Sequence, residues 1–231
     1  MKALRPLAAA ALLAAAAAPS ASAQLVTSTA GFGTTSVVNF SQFTPGWTVM
    51  NTGDPFVQVG TPVGADVRMT QTAGTQGLYY GQFPGWGLSG NGSWNRPFVG
   101  VNQWGTARFW FQNGPMQGVG GLMSYADCCT FNLPVFIRAL DQMGNTLVEY
   151  DLVALAPING QPFNGGQFRG ILRATADIWG FEFGSPDGAN PSPALTDLTW
   201  TSQGQVVPEP STLVLLGSGA VGLVLASRRR R

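Results

Sequence analysis

The chain has 231 residues, with 12 Lys and Arg against 11 Asp and Glu, a net charge of +1 and no histidine. Only 10% of the residues are charged, against roughly 25% in an average soluble domain, so the composition excludes a basic nucleic-acid-binding protein and a charge-rich coiled coil. The 45% of hydrophobic residues also excludes a disordered chain, because disorder accompanies low hydrophobicity and high net charge.

Residues 1–23 are predicted to be a secretory signal peptide. The segment has the three parts of such a peptide, namely a basic start, an apolar run and small residues at the cleavage site: Lys2 and Arg5, residues 7–18, and Ala21 with Ala23. Export by the general secretion machinery and cleavage by signal peptidase before Gln24 are therefore expected. The alternative, a retained membrane anchor, is disfavoured because this run is too short to span about 30 Å of hydrocarbon.

Residues 24–205 are predicted to form one exported domain that carries six arginines, no lysine and ten acidic residues, a net charge of −4. This charge argues against phosphate backbones and anionic membranes as partners. Short segments of alternating apolar and polar residues recur between Gly, Pro, Asn and Asp, and helical spacing is not sustained. The pattern predicts an all-β fold, a two-sheet antiparallel sandwich.

The predicted strands are most regular where aromatic residues alternate with polar ones. They include residues 36–43, 107–111, 136–140, 147–153, 178–183 and 195–200. Residues 141–146 are predicted to be a hairpin turn in which Gly144 and Asn145 adopt positive φ. In the last strand, Leu195, Asp197 and Thr199 are expected to share one face.

Residues 74–105 contain nine glycines and seven aromatic residues. Two interpretations are open. Exposed rings could stack on the apolar faces of sugars in an extracellular polysaccharide, with Trp86, Trp94 and Trp104 as the candidate ligand residues. The rings could instead fold over the sheets and close a core, and we favour this second interpretation because the domain has few charges.

Cys128 and Cys129 are adjacent and are the only cysteines. Neighbouring Cα atoms lie about 3.8 Å apart, below the ~4.4–6.8 Å of an ordinary disulfide. A vicinal disulfide in a strained turn, an intermolecular bridge and two free thiols all remain open. No metal centre is predicted, because two adjacent cysteines without histidine do not supply a ligand set.

Catalysis has little support in the sequence. Glu149 and Asp151 share a predicted strand face at about 7 Å, which is within the carboxylate separation that glycoside hydrolysis uses. The same spacing also describes any solvated sheet face, and a Ser-His-Asp triad cannot form without histidine. We therefore assign no catalytic residue and no cofactor, and a glycoside hydrolase remains the third of three functional hypotheses.

The C-terminal segment, residues 206–231, combines three features: the motif Pro208-Glu209-Pro210, the apolar run 213–226 and the cluster Arg228, Arg229, Arg230 and Arg231. Four arginines hold their end of a helix on the cytoplasmic side of a membrane. Residues 212–227 give only about 24 Å of helix at ~1.5 Å per residue, which suits a transient inner-membrane anchor.

These three features together resemble the PEP-CTERM protein-sorting signal of Gram-negative bacteria. The resemblance implies that an exosortase-type membrane transpeptidase recognises the Pro-Glu-Pro motif, cuts near it, and releases the protein or attaches it at the cell surface. Members of the family accompany extracellular polysaccharide production. An ordinary tail anchor is the disfavoured alternative.

The central domain resembles the jelly-roll sandwich that many PEP-CTERM proteins carry. The resembling segments are Val99–Val101, Gly118–Gly121, Arg138–Leu147, Phe168–Ile171 and Ala194–Trp200. This resemblance implies a structural calcium ion for which Asp197 is a candidate ligand, although Asn39 and Ser41 stand where the first strand would supply an acid. The leading expectation is a surface-sorted structural or interaction protein, and the second is a carbohydrate-binding module.

Overall fold

The structure is a computed structural model that describes residues 22–60, 67–74, 77–102, 105–126, 134–186 and 191–202. Several predictions lie outside these ranges and are not tested by the fold. They concern the signal peptide up to Ala21, Trp104, Cys128 and Cys129, and the sorting segment with its flanking helix.

The described residues form sixteen strands, a short 3-10 helix and one short α-helix. In chain order the elements are β1 (Ala23–Val26), β2 (Ser36–Val38), the 3-10 helix (Ser41–Phe43), β3 (Trp47–Met50), β4 (Val57–Val59), β5 (Val67–Ala73), β6 (Leu78–Gly81), β7 (Trp86–Gly87), β8 (Ser93–Trp94), β9 (Phe98–Val101), β10 (Gly105–Phe111), β11 (Gly118–Ser124), β12 (Phe136–Leu140), β13 (Thr146–Asp151), α1 (Leu152–Leu155), β14 (Gln167–Arg173), β15 (Gly180–Ser185) and β16 (Ala194–Thr201).

The strands assemble into two large antiparallel sheets and one small one. The first sheet has eight strands in the order β1-β14-β11-β16-β9-β6-β3, with β2 also paired to β16. The second sheet has six strands in the order β13-β12-β15-β10-β5-β4, and β7 pairs with β8 in a hairpin. The predicted all-β, two-sheet antiparallel sandwich is confirmed. The two helices predicted to flank it fall outside the described residues.

The main hydrophobic core lies between the two large sheets. Ala107, Phe109 and Phe111 of β10 are buried there, while Arg108 and Trp110 on the opposite face are half-buried. This is the alternation that the sequence predicts for this strand. Further core residues are Val119, Ile137, Ile171, Phe181, Phe183 and Leu198.

The first predicted strand is shorter than expected. Only Ser36–Val38 is extended, because the side chain of Asn39 accepts a hydrogen bond from the backbone N–H of Ser41 at 3.1 Å. The chain then enters the 3-10 helix through Phe40, which has a left-handed φ of 60° and is fully buried.

The predicted alternation along β16 is also wrong at its centre. Asp197 adopts a φ of +50°, and the register to β11 shifts by one residue at this point. Such a bulge inverts the faces of the strand on either side of it. Leu195 therefore shares the main core with Leu198 and Trp200, rather than facing away from them.

A second, smaller core lies on the outer face of the first sheet. Phe98 of β9 points away from the main core, and the β7–β8 hairpin folds over it with Trp86, Leu88 and Trp94. This hairpin gives the first sheet a second hydrophobic layer. In the ranges that the structure describes, no helix is both long and apolar enough to cross a membrane.

Candidate functional site

Trp86 and Trp94, two of the three candidate ligand residues, are buried in the second core. Their side chains are only 6% and 0% exposed. The indole Nε1 of Trp86 donates to the carbonyl of Ser192 at 3.3 Å, and that of Trp94 donates to the carbonyl of Gly165. Neither ring offers the exposed face that stacking on a sugar needs, so these two residues pack the second core instead. Trp104 lies outside the described residues.

A different tryptophan carries the exposed aromatic surface. Trp47 begins the edge strand β3 and is 46% exposed. Its ring centroid lies 5.5 Å from that of Tyr79 and 4.9 Å from that of Phe83. Tyr79 and Phe83 meet edge to face at 5.8 Å. We call Trp47, Tyr79 and Phe83 the aromatic patch.

The aromatic patch is the exposed end of a series of ring contacts that continues into the second core. Tyr79 and Phe83 both contact Trp86, at 5.2 and 5.8 Å, and Trp86 contacts Phe98 at 5.2 Å. The aromatic patch therefore packs against the buried rings of the second core. Sequence patterns do not single out Trp47, because its exposure depends on β3 lying at the edge of the sheet.

Amide side chains flank the aromatic patch. The Nε2 of Gln82 donates to the Oδ1 of Asn95 at 3.3 Å, and the backbone N–H of Gln82 donates to Gly46, the residue before Trp47. The backbone N–H of Asn95 donates to Asn164 Oδ1 at 2.7 Å. The rings and the adjoining amides together make a neutral surface that combines apolar faces with hydrogen-bonding groups.

The outer face of the second sheet carries a line of alternating charges across four strands. Arg108 of β10 faces Glu182 of β15, which faces Arg138 of β12, which faces Glu149 of β13. We call these four residues the charge ladder. The Nε of Arg108 lies 2.7 Å from Glu182 Oε1, and the Nη1 of Arg138 lies 2.9 Å from Glu182 Oε2.

Glu182 is the centre of the charge ladder and is only 1% exposed. Each of its two carboxylate oxygens has an arginine, and the hydroxyl of Thr72 donates to Oε1 at 3.2 Å. A buried carboxylate needs such partners to remain charged. The ladder therefore joins neighbouring strands and holds its central acid as an ion-paired acceptor.

The paired acids that suggested a glycoside hydrolase both have structural partners. Arg138 Nε donates to Glu149 Oε2 at 2.7 Å. Asp151 caps α1, since its Oδ1 accepts from the backbone N–H groups of Val153 at 2.9 Å and Ala154 at 3.2 Å. Val153 thus belongs to a helical turn and not to the predicted strand 147–153.

Asp197, the candidate calcium ligand, pairs with an arginine. The Nη2 of Arg96 lies 2.8 Å from Asp197 Oδ2, and both side chains are partly exposed. Within the described residues, no group of three or more His, Cys, Asp or Glu side chains is placed to hold a metal ion.

Two buried polar side chains fix the segment that follows α1. Arg169 donates to the carbonyls of Ala156 at 2.8 Å and Pro157 at 2.9 Å, and burial lowers the pKa of its guanidinium. Asn91, in the turn between β7 and β8, donates to the carbonyls of Tyr125 at 2.8 Å and Ile158 at 2.7 Å. The segment therefore stays against the β7–β8 hairpin and the first sheet.

The predicted hairpin turn is present between β12 and β13, and Gly144 has a φ of +84° as expected. Asn145, predicted to adopt positive φ as well, does not. Asp141 organises the turn, because its Oδ1 accepts from the backbone N–H groups of Met143 and Asn145, both at 2.8 Å, and its Oδ2 accepts from Asn145 Nδ2 at 3.0 Å. The side-chain hydrogen bond from Asn145 is the main reason that the pKa of Asp141 lies below its ordinary value.

Comparison with known proteins identifies the C-terminal segment. Residues 206–231 match the PEP-CTERM protein-sorting motif, and no curated protein matches the chain. The chain is similar to the K1 cleaved adhesin domain of Lys-gingipain (Kgp) from Porphyromonas gingivalis W83, with 17% identity over 74% of this chain and 100% of that one, at a TM-score of 0.34.

The chain is also similar to the C-terminal family 22 carbohydrate-binding module of Clostridium thermocellum Xyn10B. The identity is 10%, the alignment covers 77% of this chain and 97% of that one, and the TM-score is 0.25. The functional identification therefore comes from the sorting motif alone, which implies export, surface sorting and an exosortase as the processing partner.

Proposed function

Because residues 206–231 carry the PEP-CTERM protein-sorting motif, we propose that the β-sandwich is the cargo of an exosortase pathway. In this proposal the chain loses its signal peptide, is held transiently in the inner membrane by the apolar run, and is cut near Pro208-Glu209-Pro210. The released or surface-attached sandwich then acts as a structural or interaction component of the cell envelope or the extracellular polysaccharide matrix.

The roles of the ionisable groups in the sandwich support a non-catalytic cargo. Glu182 is held between Arg108 and Arg138, and Asp151 caps a helix. Catalytic acids and bases are instead expected in a cleft, with partners that shift their pKa towards the working pH. The ion pairs of the described residues join strands and loops, which suits a structural role.

The sorting step is tested by replacing Pro208, Glu209 and Pro210 with alanine in a host that contains a matching exosortase. We expect the variant to keep its C-terminal tail and to stay in the membrane fraction, while the natural chain is shortened; intact mass and fractionation report both. The matched control replaces Gln203, Gly204 and Gln205 with alanine and should be processed. Removal of the tail from the triple-alanine motif variant contradicts the proposal.

Carbohydrate binding is the second candidate function, and the aromatic patch is the observation that favours it. Exposed rings bury the apolar faces of sugars, while neighbouring amides can bond their hydroxyl groups. The test applies the processed protein to a glycan array, with Trp47→Ala as the variant and Phe56→Ala as the control, since Phe56 is similarly exposed but its ring contacts Arg68 and not the aromatic patch. Retention that is lost only with Trp47→Ala supports binding; equal retention by both variants contradicts it.

A further inference from the structure

The first and last described strands reach the same end of the first sheet. Three backbone hydrogen bonds connect them in sequence: Ala174 donates to Ser22 at 3.2 Å, Arg173 donates to Gln117 at 2.9 Å, and Gln117 donates to Thr201 at 2.8 Å. β1 begins beside Ser22, and β16 ends at Thr201. Three strand spacings of ~4.8 Å place these two points about 14 Å apart.

The second sheet contributes two turns to the same end. Met116, next to Gln117, pairs with Ile178, and the backbone N–H of Trp179 donates to the carbonyl of Leu140 at 2.8 Å. Leu140 leads directly into the turn 141–145. We call the end formed by the start of β1, the end of β16 and the turns 112–117 and 141–145 the tethered end.

The exposed residues of the tethered end include little charge. Residues 112–117 and 142–145 contain no charged side chain. Met143, at the tip of its turn, is 84% exposed. Asp141 directs its carboxylate into its own turn, and Asp177 pairs with Arg173 at 2.6 Å. The charged side chains beside these two turns are Asp141 and the Arg173–Asp177 pair, and the apolar side chain of Met143 projects from its turn.

The opposite end of the sandwich offers a matched position. β13 runs from Thr146, next to the tethered end, to Asp151, where α1 begins. Six residues of strand extend for about 17 Å at ~3.3 Å per residue. Leu155, at the end of α1, is 61% exposed. Met143 and Leu155 are thus two exposed apolar side chains at opposite ends of one strand.

We propose that the tethered end faces the phospholipid headgroups of the inner membrane while the chain is anchored, and that the end bearing Leu155 points away from the bilayer. This inference rests on the proposed function, which supplies the anchors. Six residue steps separate Ser202 from Pro208, and they extend for at most about 20 Å. The predicted signal segment adjoins β1 without a spacer.

Until signal peptidase removes residues 1–23, the signal segment and the apolar run 213–226 enter the bilayer from the same side, because the exported domain lies between them. If the first and last strands lay at opposite ends of the domain, a linker as long as the domain would be needed to bring both hydrophobic segments to the bilayer. Here both ends lie about 14 Å apart, so short connections suffice. Because residues 112–117 and 142–145 carry no charge, these turns add little to the repulsion that a domain of net charge −4 meets at anionic headgroups.

The test places a fluorophore at either end of the full chain, produced without exosortase and reconstituted into phosphatidylcholine–phosphatidylglycerol vesicles with nitroxide-labelled headgroups. Met143→Cys and Leu155→Cys are each made in a Cys128→Ser, Cys129→Ser background and labelled. We expect loss of fluorescence at position 143 and little loss at position 155. Equal loss at both positions, or greater loss at position 155, overturns the proposed orientation.

Vesicle flotation separates failure of the orientation from failure of the anchor. A protein that floats with the vesicles but shows equal quenching at both positions retains the proposed anchoring and loses only the orientation. A protein that does not float contradicts the anchoring and the orientation together. If the serine background does not fold, a fluorescent unnatural amino acid at position 143 or 155 gives the same comparison with both cysteines in place.

Discussion

The indole ring of Trp86 lies directly on Gly100 of β9. A Cβ atom added at Gly100 would lie 3.0 Å from two carbons of that ring and 2.7 Å from a ring carbon of Phe98. The hairpin that carries Trp86 can cover the outer face of the first sheet because residue 100 has no side chain. This contact explains why Trp86 is buried.

Gly100→Ala should destabilise the protein by about 1–3 kcal/mol, the range for overpacking a filled core. The added methyl group has to displace two packed rings at the centre of the second core. Gly87→Ala is the matched control in the same hairpin, since a Cβ there meets nothing within 4 Å. Urea unfolding of both variants measures the difference, and equal midpoints would show that the second core is loosely packed.

Local patterns in the sequence predict the strands well where the two faces of a strand differ. In β10, three buried apolar residues alternate with Arg108 and Trp110, and the structure shows that alternation. Asp197 breaks the pattern of β16 at the point where the partner along one edge changes from β9 to β2 and the register to β11 shifts. A bulge of this kind depends on the register of distant strands, which no local pattern contains.

The exposed aromatic surface could not be located from the sequence for a similar reason. Trp86, Trp94 and Trp47 are all tryptophans next to glycines or turns, so composition does not distinguish them. Which of them is covered depends on the folding of the β7–β8 hairpin over the first sheet and on the edge position of β3. The sorting segment, in contrast, is a linear motif whose resemblance to the PEP-CTERM signal is visible in its residues, and the match to residues 206–231 confirms it.

Glu182→Gln should lower the free energy of unfolding by about 2 kcal/mol or more. The change leaves Arg108 and Arg138 without the carboxylate that each contacts, although partial exposure of both arginines keeps the loss below the ~3–5 kcal/mol of a fully buried pair. Glu149→Gln is the control, because Glu149 contacts the same Arg138 but is exposed, and such pairs contribute about 0–1 kcal/mol. Thermal unfolding measures the loss of stability in each variant. A larger loss of stability for Glu149→Gln than for Glu182→Gln would contradict the central role of Glu182.

Asp141→Asn should reduce stability at neutral pH, and this effect should disappear in acid. The pKa of Asp141 is lower in the folded protein than its ordinary value of 3.8, so the unfolded chain binds the proton more readily. The contribution of the carboxylate is complete above pH 3.8 and is lost as the pH falls through the folded-state pKa. Denaturant unfolding of the natural protein and of Asp141→Asn at several pH values gives the difference in their free energies of unfolding. A difference that does not change with pH would show that the charge of Asp141 is not involved.

Trp94→Ala should destabilise the protein much more than Trp47→Ala, whereas Trp47→Ala should change the accessible surface more. Removal of the buried Trp94 side chain should cost about 3–5 kcal/mol, whereas removal of the half-exposed Trp47 should cost about 1 kcal/mol through its ring contacts. Thermal unfolding measures the first effect. Quenching of tryptophan fluorescence by acrylamide should fall when Trp47 is removed, and unchanged quenching would show that the ring of Trp47 is not accessible to solvent.

Deletion of residues 203–207 should block processing at the sorting motif without disturbing the sandwich. The deletion places Pro208 directly after Ser202, one residue beyond the last pair of β16 with β11 at Thr201. A membrane-embedded transpeptidase would then meet the folded end of the domain where it needs an extended chain. Replacement of the same five residues by a Gly-Ser segment of equal length should restore processing, because such segments are flexible. Intact mass in a host with a matching exosortase distinguishes the two variants, and normal processing of the deletion variant would show that the enzyme accepts the motif at the surface of the folded domain.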